Sequence, residues 1–91
     1  MSAERRVRAR VARLVWPSNP HSVSLAQTAV ELACLVDAGN PAELLPSKLR
    51  VTMSHLSECG REPDALDRIR AACCRKALEV FRQQVGRAIR A

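Results

Sequence analysis

Proline and glycine placement constrains this chain more than any other feature. All five prolines lie between residues 17 and 63, and with Gly39 and Gly60 they cut the 91 residues into four stretches with apolar positions at helical spacing. Proline inside a helix removes a hydrogen bond and clashes with the carbonyl four residues back, so each cluster marks an end. The material available for packing is aliphatic, because Trp16 and Phe81 are the only aromatics in a chain that is 47% apolar. Punctuation and composition together predict an all-α fold: one domain over residues 1–91, a small four-helix domain with a long C-terminal helix.

Ser2 is placed to cap a first helix reaching about Trp16, with Ala3, Val7, Val11, Leu14 and Val15 on its apolar side. Pro17, Ser18, Asn19 and Pro20 read as a break, with His21 in the same loop. Ser22 or Ser24 then starts the second helix, Gln27 completing a capping box with Ser24 and Gly39 ending it. This is the most apolar element and the expected centre of the core. Asn40 and Pro41 read as another start, Pro46 reduces that start to a single turn over residues 41–45, and a third helix follows over about 47–58. Its expected buried stripe is Leu45, Leu49, Met53 and Leu56, and Gly60 closes it. Pro63 opens the last helix, with Asp64 and Asp67 near its positive end and a stripe of Leu66, Ile69, Cys73, Ala77, Val80, Phe81, Gln84 and Val85. Fraying is expected at Gly86. Continuous to residue 90, that helix would measure ~42 Å. A globule of this length has a radius of gyration of only ~12 Å, so the helix should overhang its domain, as a helix that meets a partner helix or as a mobile basic tail. Self-association is therefore expected through Cys73, Ala77, Val80 and Phe81.

Charge is concentrated at the ends. The net charge is +6; residues 1–15 carry five arginines against Glu4, residues 16–60 are net acidic, and residues 61–91 carry eight bases against four acids. Such a distribution suits a polyanion such as nucleic acid, while a composition of thirteen Arg to two Lys with abundant Ala is equally what a GC-rich genome produces. On the first reading, Arg5, Arg6, Arg8, Arg10 and Arg13 neutralise backbone phosphates of double-stranded DNA and release counterions. On the second they are a solvated face. Lys48 and Arg50 would assist if the third helix, which carries Ser47, Lys48, Arg50, Thr52 and Ser54, acts as the recognition helix of a helix-turn-helix. The long connection through Pro46 argues against that, leaving these residues as an ordinary wet face.

Other chemistries find little footing. No apolar run reaches the ~20 residues of a membrane span, and the arginine-rich start lacks a secretion signal's apolar stretch, so a cytoplasmic location and free thiols at Cys34, Cys59, Cys73 and Cys74 are expected. His55 and Cys59 share a helical face, but Cys73 and Cys74 project about 100° apart, so no metal is expected and the cysteines read as small core residues. No cofactor loop and no nucleophile–base motif is present, which points away from an enzyme. Trp16 is read as a core anchor at a helix end rather than a base-stacking platform.

The segment from Thr28 to Leu56 contains an apolar helix ending in Leu35, Val36 and Asp37, then Leu49, Arg50, Thr52 and Leu56 in a Leu-Arg-x-Thr-x-x-x-Leu pattern. In these features it resembles small terminase subunits of phages that infect actinobacteria. The resemblance implies a non-enzymatic, oligomerising DNA-recognition subunit of a phage-type packaging assembly in the bacterial host cell, presenting DNA to a large ATPase–nuclease partner. The alternative is a helical adaptor or regulatory module whose long helix docks on an acidic or apolar protein.

Overall fold

The computed structural model describes residues 2–90, with side chains described as far as Gln84. Four helices follow one another: α1 (Ala3–Leu14), α2 (Pro20–Asp37), α3 (Leu45–Glu58) and α4 (Ala65–Arg90). Each beginning is explained by how it disposes of the free amides of a first helical turn. At α1 the Ser2 hydroxyl accepts from the Arg5 amide at 3.1 Å. At α2 the cap is Asn19, whose side-chain oxygen accepts from the amides of His21 and Ser22, with Pro20 at the first helical position. The Asn19–Pro20 pair is thus a start, not a break, and neither Ser22 nor Ser24 caps this helix.

Asn40–Pro41 is the same dipeptide with a different outcome. Its side-chain oxygen accepts only from the Ala42 amide, and a turn closes from Leu45 back to Ala42. A helix begun at Pro41 would place Pro46 in its interior, against the Ala42 carbonyl. The chain instead restarts at Leu45, where Pro46 falls in the first turn and its missing amide does no harm. Gly39, at φ 79°, supplies the left-handed residue that ends α2, and the Asn40 amide reaches back to the Leu35 carbonyl. At α4 it is Asp64 that caps, accepting from the Asp67 amide at 2.8 Å, so Pro63 precedes the helix and does not open it. The end of α1, at Leu14, comes just before the expected Trp16, and α3 ends at Glu58 as expected.

Cross-links fix the directions. Asp37 at the end of α2 meets the start of α1, and Glu58 at the end of α3 meets Arg70 near the start of α4, so both pairs are antiparallel. Asn19 reaches Asp67, and Glu31 holds Arg75 and Arg82, so α2 and α4 run parallel. Both α2 and α3 touch every other helix, whereas among the described residues α1 and α4 do not touch each other. The section is therefore a diamond, with α1 and α4 at its far corners. Leu25, Leu32, Leu45, Leu56 and Leu78 are fully buried along its middle, each worth roughly 1.5–3 kcal/mol of transfer free energy.

The inward stripe of α4 is Asp67, Ala71, Cys74, Leu78 and Phe81. Of the expected stripe, only Phe81 is buried and Ala77 half-buried; Leu66, Ile69, Cys73, Val80 and Gln84 are exposed. Val85 as a stripe member and the fraying at Gly86 lie outside the described residues. On α3, Thr52 joins Leu45 and Leu56 in the interior while Leu49 and Met53 are half-buried. Among the described residues no helix is long and apolar enough to cross a membrane.

Candidate nucleic-acid interface

The five arginines of α1 are all exposed, but they do not share one surface. At 100° per residue, Arg5, Arg13, Arg6 and Arg10 fall within an arc of about 140°, and Arg8 lies about 60° beyond Arg5 on the other side. The packing residues of α1 explain the division. Val7 is the buried anchor; Arg6 and Arg10 border a cleft floored by Ala3, Val7, Leu49 and Met53, between α1 and α3. Arg13 continues the row into a second cleft with Leu14, Val15, Trp16 and Ser57. Arg8 instead borders the α2 flank with Gln27, Val30, Glu31 and Arg75, and its guanidinium lies 3.4 Å from Glu4.

Ion pairing separates the same groups. Among the described residues Arg8, Arg70, Arg75 and Arg82 pair with carboxylates, while Arg5, Arg6, Arg10, Arg13 and Arg50 do not, nor do Lys48, Arg61, Arg68 and Lys76 away from the α1 row. The paired arginines lie along seams of the fold: Glu31 accepts from Arg75 and from Arg82 at 2.6 Å each, tying α4 to α2. The unpaired arginines stand in solvent, and Lys48 is half-buried.

Carboxylates near α1 are occupied otherwise. Asp37 accepts from the amides of Ala3 and Glu4 at 2.8 and 2.9 Å, closing the N-terminus of α1 from the end of the neighbouring helix. Those two amides hold the Asp37 carboxyl below its ordinary range, with a smaller contribution from Arg6. Glu4 accepts from the Cys34 thiol at 3.0 Å and from Arg8, and both lower its pKa.

On α3 the expected contacts divide. Arg50 is exposed and lies about 60° around the helix from Met53, on the α1 side. Lys48 projects to the opposite flank, where it and Arg70 add to the burial that lowers the pKa of His55. Thr52 is buried and donates to the Lys48 carbonyl at 2.8 Å. It therefore cannot meet a base. Residues 38–44 separate α2 from α3, longer than the three or four residues of a helix-turn-helix turn, so α3 is not presented as such a recognition helix.

The remaining candidates fall elsewhere. Trp16 is 42% exposed just beyond the end of α1, not buried in the core. Cys59 and Cys74 are buried; Cys34 and Cys73 are exposed. Burial, and then the Asp67 carboxylate, push the Cys59 thiol up to about 11, which disfavours the thiolate a metal would require. For self-association, Phe81 packs with Leu32, Leu45 and Leu78 inside its own domain, with Ala77 against them, so of those four residues only Cys73 and Val80 are exposed. Sequence reasoning missed the division of the arginines, whose signal was present in the spacing of Arg6 and Arg8, about 160° apart around the helix. Comparison with known proteins finds no matching family model, no matching curated protein and no matching solved structure.

Proposed function

We propose that this chain binds double-stranded DNA through its backbone phosphates, with Arg5, Arg6, Arg10 and Arg13 of α1 and Arg50 of α3 as the contacts. The observation that carries this reading is that these guanidinium groups are exposed and without carboxylate partners, Arg6, Arg10, Arg13 and Arg50 on the α1–α3 side of the diamond and Arg5 on the outer face of α1. Residues 5–13 rise ~12 Å along α1. Duplex DNA offers one phosphate charge per ~1.7 Å of axis, about seven over that length, so each guanidinium has an acceptor within reach. Phosphate contact sets affinity and position without choosing sequence. With Thr52 turned inward, nothing on α3 supports base reading, and random duplexes should bind alike.

The Thr28–Leu56 resemblance supports placing this binding within a phage-type packaging assembly, beside a large ATPase–nuclease. The apolar floor of the α1–α3 cleft favours a second reading, an acidic amphipathic helix held by the same arginines.

Salt dependence distinguishes the two. Five phosphate contacts give a slope of log affinity against log salt near −4.5, each contact contributing ~0.9. Replacing Arg6, Arg10 and Arg13 together by Ala should reduce the slope by ~2.7, and replacing Arg8 and Lys48 should leave it unchanged. DNA affinity that is indifferent to the triple substitution would eliminate the phosphate reading and leave the acidic helix.

A further inference from the structure

The described residues include six exposed large apolar side chains, and five of them lie on α3 and α4: Leu44, Val51, Leu66, Ile69 and Val80. On α4, Leu66, Ile69, Cys73 and Val80 fall within about 60° of one another and about 130° around the helix from the buried stripe. Arg70, between the two stripes, bonds Glu58 of α3, whereas Arg75 and Arg82 on the opposite flank bond Glu31 of α2. The exposed stripe therefore borders α3. Leu44 and Val51, seven residues apart and so on one face of α3, lie on the flank shared with His55 and Lys48, which is the α4 side. One apolar surface results, on the far side of α3 from the arginine row.

We propose that this α3–α4 surface is a two-fold interface for a second copy of this chain, with Cys73 at the axis. The argument for a second copy is self-complementarity. Leu66 and Val80 stand seven residues to either side of Cys73, so antiparallel α4 helices crossing there set Leu66 against Val80 of the partner subunit and Ile69 against Ala77 of the partner subunit. Area agrees: these side chains, 39–72% exposed for the five large ones, offer about 500 Å² together. That is the apolar share of a footprint of ~800 Å² per partner at ~65% apolar. The α1 arginine rows of both copies remain outside the contact.

The test needs no DNA, so its failure is separate from failure of phosphate binding. Sedimentation equilibrium of the full chain in reducing buffer should show a dimer, and Ile69→Glu should weaken it by more than ~30-fold, since the two-fold doubles each substitution. Both side chains at this position stand in solvent in the monomer; circular dichroism checks the helices, and Leu66→Glu serves as a second variant. Diamide should then oxidise the paired thiols to a covalent dimer, two Cys73 thiols losing two protons and two electrons to the reagent. Cys34→Ser should keep that product and Cys73→Ser should abolish it. A monomer at millimolar concentration assigns the face to a different protein and overturns the proposal. So does a dimer indifferent to both glutamates, or one that Cys73 does not cross-link.

Discussion

Asn19 does more for this fold than its place in a proline-bounded loop implies. It is fully buried, its oxygen caps α2, and its Nδ2 donates to the Gly60 carbonyl at 3.0 Å and to Asp67 at 3.3 Å. One side chain thereby fastens the α1–α2 loop to the α3–α4 loop and to the first turn of α4. Asn19→Ala should cost about 3 kcal/mol in urea unfolding, combining a lost cap with buried polar groups left unpaired. Asn19→Asp is the sharper probe. Aspartate caps as well as asparagine, so the α2 amides stay satisfied, but a carboxylate replaces the donor facing Asp67. Two carboxylates at that separation raise the pKa of one above its unfolded value. Such a group gives up stability as pH rises through the raised pKa, so this variant should be weakest at neutral pH and recover toward wild type as pH falls. Wild-type stability at pH 7 would show that the Nδ2 contacts contribute nothing. None of this was legible in the sequence, because the partners lie 41 and 48 residues away and no local pattern announces them.

Among the elements, α1 is the one whose first amides are capped by a side chain of another helix. Its first amides go to Ser2 and to Asp37 of α2, and it touches only α2 and α3. The Asp37 pKa is lowered by those amides. The direction therefore follows: its contribution is present above the ordinary carboxylate range and is lost as pH falls through the depressed value. Asp37→Asn should remove that acid-side dependence and speed hydrogen exchange in the first turns of α1, while amides around Leu32 and Leu78 keep their protection. Equal exchange throughout would mean that α1 does not open on its own. Element existence was legible because caps, prolines and 3–4 spacing agreed. Element faces were less so, and α4 shows why. Residues 66, 69, 73, 77 and 80 satisfy helical spacing as well as 67, 71, 74, 78 and 81 do, and a carboxylate at Asp67 argues against the true interior. Asn19, arriving from the α1–α2 loop, and the Cys59 thiol make that buried Asp acceptable. Likewise Asn19–Pro20 and Asn40–Pro41 look alike until the position of Pro46 is weighed.

At the scale of the whole molecule, the diamond puts its two kinds of arginine to different use. Arg75 and Arg82 close the α2–α4 seam on Glu31, and Arg70 closes the α3–α4 seam on Glu58. Arg5, Arg6, Arg10, Arg13 and Arg50 close nothing, and add like charge to a chain already at +6. Self-repulsion of that kind opposes the compact state and is screened by salt over about 10 Å at 0.1 M. A side chain kept for a partner should therefore be dispensable to the fold, and even unfavourable to it. Replacing Arg6, Arg10 and Arg13 by Ala should leave Tm unchanged or raise it by a few degrees, since ~1 kcal/mol moves Tm by about 4–8 °C in a domain of this size. Raising salt from 50 to 500 mM should lift Tm in the wild type more than in the triple variant. Glu31→Gln should instead lower Tm, because it weakens two pairs at once, though each partly exposed pair is worth only ~0.2–1 kcal/mol. Thermal melts at the two salt concentrations decide the matter. If the triple variant melts as low as a core substitution, the arginine row is holding α1 onto α3, and its exposure has a structural cause in place of a binding one.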